Sequence, residues 1–420
     1  MEDIFINHIH INKVRHLENL DIPLSATERQ HLILTGRNGS GKTSFLLALK
    51  AYLKGVEGNW IYNIGHYRVA NLVDKKNLLT ITNKLNQVSD INEKAQLISQ
   101  REILATEIHH RQNVLKSVDP LELSISHLGS LVPAYQKNDM ILTYFDAKRH
   151  VDFRKSAGPQ KLELQGSYQM DTKVNPNFIQ YIINLRYDKL DAQDTNNRKE
   201  AENIDAWFEK FTNALKDIFE DDTLTLEFDR PNYNFNIILR GHEKFDLNTL
   251  SDGYSAVMNI LTELILRMEK KRGRFYDIQG IVLIDEIETH LHIDLQKKIL
   301  PFLTAFFPKI QFIVTTHSPF VLTSLKNAVV YDLEKQEALT DLSGYSVEAI
   351  IESYFGQDKY ADVLTKKVHQ YEKLMSKNGL SETERAEKRD LKGYFKNLPY
   401  FLAPELQVKI QQIELAQLGK

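Results

Sequence analysis

His31-Leu32-Ile33-Leu34-Thr35 is a short apolar run, and Gly36-Arg37-Asn38-Gly39-Ser40-Gly41-Lys42-Thr43 follows it directly. Ser44-Phe45-Leu46-Leu47-Ala48-Leu49 then continues with helix-forming residues. Strand, glycine loop and helix in this order satisfy GxxxxGK[ST] in the context the motif requires. Glycines let the backbone curl so that successive N–H groups converge on phosphate oxygens. The helix N-terminus adds a dipole that favours the anion. Gly36, Arg37, Asn38, Gly39, Ser40, Gly41, Lys42, Thr43 and Ser44 are therefore the expected phosphate cradle. Lys42 reaches the β- and γ-phosphates, and the Thr43 hydroxyl faces Mg²⁺. A glycine turn with a chance Lys-Thr is the bland alternative, and the flanking strand and helix argue against it.

A phosphate cradle needs a carboxylate strand beside it. Gly280-Ile281-Val282-Leu283-Ile284-Asp285-Glu286 is an apolar run ending in two acids. Such runs read as central parallel strands, whose carboxyl ends carry ligands. Asp285 is the expected Mg²⁺ ligand, and Glu286 the group that polarises an attacking water. Leu250-Ser251-Asp252-Gly253-Tyr254 precedes these acids, and Gln311-Phe312-Ile313-Val314-Thr315-Thr316-His317 follows them as a strand ending on a histidine. A Ser-Gly pentapeptide or a strand-end histidine is weak alone; their order around the acid pair is the signal.

With these blocks in place, the chain resembles an ABC-class ATPase of the SMC, RecF and OLD branch, across residues 4–50 and 248–330. The resemblance implies ATP and Mg²⁺ as ligands. Residues 36–44 take the place of Walker A, and residues 281–286 that of Walker B. Leu250 to Tyr254 takes that of the signature motif, and His317 that of the switch histidine. It implies that Lys42, Glu286 and His317 serve hydrolysis and that Thr43 and Asp285 hold the metal. It also implies that Ser251 and Gly253 touch nucleotide bound by a second head in a head-to-tail pair. Asp252 and Tyr254 depart from the LSGGQ pattern, which bears on the hydrolysis rate. Ile4, Ile6, Ile9 and Ile11 followed by Leu20 to Leu24 resemble the two-strand entry of RecF- and OLD-like heads. An arginine matching Arg15 lies near the nucleotide there, although a solvated hairpin arginine reads equally well. No glutamine follows the strand Met140 to Phe145, so the segment Asp146-Ala147-Lys148-Arg149 has no assignable Q-loop residue.

Glu288-Thr289-His290-Leu291-His292 does not have HExxH spacing, and it resembles the acid–His-Leu-His stretch of OLD-like ATPases better than a zinc site. Between Walker A and Met140, Leu78, Ile81, Leu85 and Val88, then Leu97, Leu104, Ile108 and Leu115, fall at helical spacing. They predict a helical hairpin with arms of about 20 residues. A second helical region spans Asn177 to Phe219 with a polar break at 191–198. Arg267 to Arg274 reads as a basic helix end that complements the dipole.

The fold expected is α/β: an ABC-type P-loop head with a mainly parallel core sheet, an N-terminal antiparallel β-lobe, helical insertions and a helical C-terminal tail. Its expected bounds are 1–68 and 140–340 for the head, 69–139 for the hairpin insertion, and 341–420 for the tail. With no cysteine, thiol catalysis, zinc–thiolate sites and disulfides drop out. Net charge −3 gives no general attraction to nucleic acid. No stretch is apolar enough to span a membrane, and the start shows no secretory signal, so a cytoplasmic location is expected. The tail has no DxD pair and no His–Asn–His set, which excludes a TOPRIM or HNH nuclease within it. Its helices, with a capping box at Ser381-Glu382-Thr383-Glu384, are similar to those of stand-alone ATPases of phage-defence operons, of the Septu PtuA and retron-associated type. That similarity implies a homodimer or larger assembly that controls a separate HNH or TOPRIM nuclease. Nucleic acid would be met directly or through that partner. A RecF/SMC-like DNA-repair ATPase and an ATP-sensing scaffold with little turnover are the alternatives.

Overall fold

The computed structural model describes residues 2–272, 276–339, 342, 344–350, 362–377, 379–396 and 410. They divide into two compact units, Met1–Gly344 and Tyr345–Lys420. In the first, β1 (Ile6–Val14) and β2 (Leu17–Pro23) form an antiparallel hairpin whose inward residues include Ile9, Ile11, Leu20 and Ile22. Its tight turn holds Arg15 at φ 55°. β3 (His31–Thr35) leads through the glycine loop into α1 (Lys42–Glu57). The hairpin arms are α2 (Ile64–Leu85) and α3 (Ile91–Val118), tied by an Arg111–Asp74 ion pair of 2.6 Å. Asp90 caps α3 by accepting from Glu93 N at 2.8 Å.

The arms thus begin ahead of residue 69, and the chain is back in the head well before residue 139. β4 (Leu121–Ile125) pairs antiparallel with β1, Ile11 facing Leu121. α4 (Leu128–Gln136) buries Leu131, Val132 and Tyr135 in the main core. β5 (Met140–Phe145) follows. The polar break at 191–198 separates α5 (Phe178–Asp194) from α6 (Arg198–Phe219). β6 (Thr225–Asp229), β7 (Asn234–Ile238) and β8 (Phe245–Asp246) make a small antiparallel sheet. Then come α7 (Asp252–Arg272), β9 (Gln279–Ile284), α8 (Ile293–Phe306), β10 (Ile310–Thr315), α9 (Pro319–Leu322), β11 (Ala328–Asp332) and β12 (Glu337–Leu339).

The central sheet has the order β12-β11-β3-β10-β9-β5, parallel throughout except for the β11–β12 edge. Every residue of β3, β9 and β10 is buried, as expected of strands covered on both faces. The parallel register places the carboxyl ends of these three neighbours side by side, roughly 4.8 Å apart. Two buried glutamines join this sheet to the N-terminal lobe: Gln279 Oε1 accepts from Ile4 N, and Gln311 Oε1 accepts from Ile6 N. Arg267, read from sequence as part of a basic helix end, is buried. It pairs with Glu263 at 2.7 Å and donates to the carbonyls of Leu142, Tyr168, Gln169 and Thr172. The side chains of Lys270, Lys271 and Arg272 lie outside the described residues.

His31 begins β3 in the core, where its Nδ1 accepts from Phe312 N at 3.1 Å. Burial, and then the charge of Arg29, push its pKa down to about 4. The native state therefore refuses a proton that the unfolded chain takes below about pH 6.5. Stability must fall as pH drops from 6.5 towards 4, by about 1.4 kcal/mol per unit for this one group. Urea unfolding at pH 7 and pH 5 should show the wild-type chain losing roughly 2 kcal/mol more than His31→Gln. Equal losses would mean that His31 is not held neutral.

The second unit contains α10 (Val347–Ala349), α11 (Asp362–Ser376) and α12 (Glu382–Lys396). Val368, Tyr371, Leu374, Met375, Leu391, Phe395 and Ile410 form its core. The capping box closes reciprocally: Glu384 N donates to Ser381 Oγ, and Ser381 N donates to Glu384 Oε2. Of the helical stretch that the sequence suggests from Ser346 into Tyr354-Phe355-Gly356, the part beyond Ile350 lies outside the described residues.

Candidate nucleotide site

The loop between β3 and α1 has left-handed backbone at Gly36 (φ 130°), Gly39 (φ 86°) and Gly41 (φ 97°), which explains the glycines. Gly41 also has no room for a side chain, because a Cβ there would come within 2.9 Å of Leu17 Cδ1. The tip of the β1–β2 hairpin thus rests on the glycine loop, with Arg15 exposed two residues from Leu17. Lys42 is buried, its Nζ donating to the Gly36 and Arg37 carbonyls at 2.8 and 3.1 Å. Burial pulls its pKa down, while Glu286, Glu288, Asp285 and Asp332 push it back up. The loop is wrapped around this cation.

Facing it, Asp285 is buried at the end of β9. One of its oxygens accepts from Thr43 Oγ1 at 3.2 Å and from Thr315 Oγ1 at 2.7 Å. A hydroxyl and a carboxylate oxygen at this separation are the donor set a P-loop Mg²⁺ requires, with phosphate oxygens and waters completing the shell. Among the described residues, no group of three or more His, Asp or Glu is arranged to hold a metal by itself. Glu286 is half-buried at φ 45°, and its backbone N donates to Thr315 Oγ1 at 2.7 Å.

β10 stops at Thr315, two residues short of the histidine on which the sequence placed its end. Thr316 N still makes the ladder bond to Leu34 O at 2.9 Å, and the chain departs at His317, whose N donates to Glu288 Oε1 at 2.5 Å. Burial, then the charge of Lys42, lower the His317 pKa, so a neutral imidazole faces the same space as Lys42 and the acids.

Three residues join this site without a motif to announce them. Thr315 bridges Asp285 and Glu286, and Glu288 holds the His317 peptide. Arg149, in the segment with no glutamine, is buried and donates to the carbonyls of Asp146 (2.9 Å), Asp285 (2.5 Å) and Glu286 (2.7 Å). A lone arginine after a strand carries no spacing code, so only the three-dimensional pairing reveals it.

The remaining expected residues lie elsewhere. Ser251 is exposed at the start of α7, and Gly253 packs on the His290 carbonyl, where a Cβ would come within 2.7 Å. Both line a cavity of about 430 Å³ with Tyr254, His290, His292 and Asp294, whose walls include no residue of the glycine loop. Tyr254 stacks on Phe219 at 4.1 Å.

A parallel sheet with its phosphate loop after β3 and its acid pair after β9, one strand further on across β10, defines a P-loop ATPase head. Residues 32–323 match the family described as "AAA domain, putative AbiEii toxin, Type IV TA system", and the chain belongs to that family. The Septu protein PtuA of Bacillus mycoides (strain KBAB4) is 37% identical over 154 residues, 34% of this chain and 22% of that protein. The chain therefore spans about a fifth of that relative's length. The Retron Vc95 probable ATPase of Vibrio cholerae serotype O1 biovar El Tor is 22% identical over 356 residues, 72% of this chain and 69% of that one. A solved SMC head bound to the C-winged helix domain of ScpA aligns over 80% of this chain and 95% of its own, at 12% identity and TM-score 0.36. Among the described residues, no helix is long and apolar enough to cross a membrane.

Proposed function

We propose that the chain binds ATP with Mg²⁺ and hydrolyses it in a head-to-tail assembly that controls a separate effector nuclease in anti-phage defence. The observation that carries the hydrolytic part is the bonded set Thr43–Asp285–Thr315, with Lys42 and Glu286 beside it. Lys42 binds the β- and γ-phosphates, Thr43 and Asp285 hold Mg²⁺, and His317 faces the γ-phosphate. Glu286 takes the proton of the attacking water as the new bond to γ-phosphorus forms and the bond to the ADP oxygen breaks. The head-to-tail part is supported by Ser251 and Gly253 lining a cavity apart from Lys42, where a second head could use them. The defence role and the separate effector both rest on the likeness to PtuA and retron ATPases. A scaffold with slow turnover is the second reading, favoured by exposed Asp252, a carboxylate where a γ-phosphate would arrive.

The test is co-purification of the tagged full chain expressed with its neighbouring genes, reading mass and ATPase rate on one peak. A co-eluting HNH or TOPRIM nuclease in a defined multimer is the expected result. A lone dimer whose turnover rises with duplex DNA would replace this reading with a repair ATPase.

A further inference from the structure

The turn that carries His317 is fastened at each peptide. Thr316 N donates to Leu34 O, and Ser318 N to Thr316 Oγ1 at 3.0 Å. Ser318 Oγ donates to Gln296 Oε1 at 2.6 Å, and Gln296 Nε2 donates back to Leu291 O at 2.8 Å. His317's own N–H goes to Glu288 Oε1 at 2.5 Å. That bond joins the histidine turn to the segment bearing Asp285 and Glu286. The same segment is anchored to β10 by Ile287 N, which donates to Thr315 O at 3.0 Å. The second Glu288 oxygen is buried with no hydrogen-bond partner among the described residues. Glu288 is also among the charges that bear on Lys42, Arg149 and His317. A carboxylate in this position, turned inward and spending one oxygen on a backbone N–H, is costly unless the fold uses the bond.

We propose that Glu288 is a positioning residue for hydrolysis: by accepting the His317 peptide N–H it fixes where the imidazole stands relative to Glu286. This rests on the ATPase reading above. The bond needs an acceptor oxygen and no negative charge, so Glu288→Gln keeps the device and Glu288→Ala removes it. A histidine displaced by about 1 Å costs turnover on the order of 30- to 100-fold, while phosphate binding through Lys42 is left nearly intact.

The full-length wild type, Glu288→Gln, Glu288→Ala, His317→Ala and the Glu288→Ala/His317→Ala double variant would be compared in two ways. Hydrogen exchange of the nucleotide-free proteins should show the peptide spanning 316–318 exchanging about tenfold faster in Glu288→Ala, and near the wild-type rate in Glu288→Gln. In ATP turnover, Glu288→Ala should lose kcat about 30-fold with KM within about twofold. Glu288→Gln should stay within about threefold of wild type, and the double variant should be no slower than His317→Ala alone. Equal exchange in all proteins overturns the proposal. So does a Glu288→Gln as slow as Glu288→Ala, since the charge would then act in the chemistry itself. A wild type that exchanges as expected yet turns over no ATP would instead sink the ATPase reading.

Discussion

Glu286→Gln should lower ATP turnover by about 100-fold or more and leave nucleotide binding within about threefold of wild type. Glu286 sits at φ 45°, a conformation that costs a non-glycine residue roughly 1 kcal/mol and persists only when its surroundings impose it. Here Thr315 Oγ1 takes its N–H, Arg149 takes its carbonyl, and Thr289 Oγ1 donates to Oε2 at 3.3 Å. The amide oxygen of glutamine accepts from Thr289 equally well, so the side chain keeps its place and loses only its capacity to take a proton. Lys42, Thr43 and Asp285 are untouched, so ATP still binds. A binding-competent, hydrolysis-blocked head should accumulate as an ATP-dependent dimer, whereas Lys42→Ala should lose binding and dimer together. Single-turnover hydrolysis and light scattering on both variants separate these outcomes. Glu286→Gln turning over at the wild-type rate would transfer the base role to another group.

Much of this site could be read in the sequence because its parts are local. The glycine loop, its flanking strand and helix, and the acids after four apolar residues each fit within a dozen residues, and their chemistry dictates residue type. The break between α5 and α6 and the Ser381–Glu384 box were visible for the same reason. What escaped is long-range. β4 belongs to the N-terminal sheet although two strands and the helices α1, α2 and α3 separate it from β1, and a five-residue strand with modest patterning says nothing about its partner. Arg149 and Glu288 act on backbone groups, so no side-chain motif marks them. The end of β10 escaped because nothing local marks it: the His317 N–H is drawn off to Glu288 Oε1, a partner on the segment after β9.

Arg149→Ala should be the most damaging change outside the motifs, costing about 3 kcal/mol of stability and about 100-fold in turnover. Three carbonyls, of Asp146, Asp285 and Glu286, depend on its guanidinium. Burial pulls the Arg149 pKa down, and Glu288, Asp146, Asp285 and Glu286 all push the other way. Alanine therefore leaves three acceptors short of a donor, the buried Asp285 carbonyl among them, and removes the cation from among four carboxylates. Glu286 then loses the bond to its carbonyl that helps keep it in left-handed backbone, with only Thr315 and Thr289 left to hold it. ATP affinity should change much less, because the anchors of Lys42 lie on the glycine loop. Arg149→Lys separates the two losses. It restores a positive charge and so part of the stability, but one ammonium cannot span carbonyls that Nη1 and Nη2 reach separately, so turnover should stay low. Urea unfolding and steady-state kinetics on the two variants decide it. A lysine variant with full turnover would show that charge alone, without the fork, holds the acid turn.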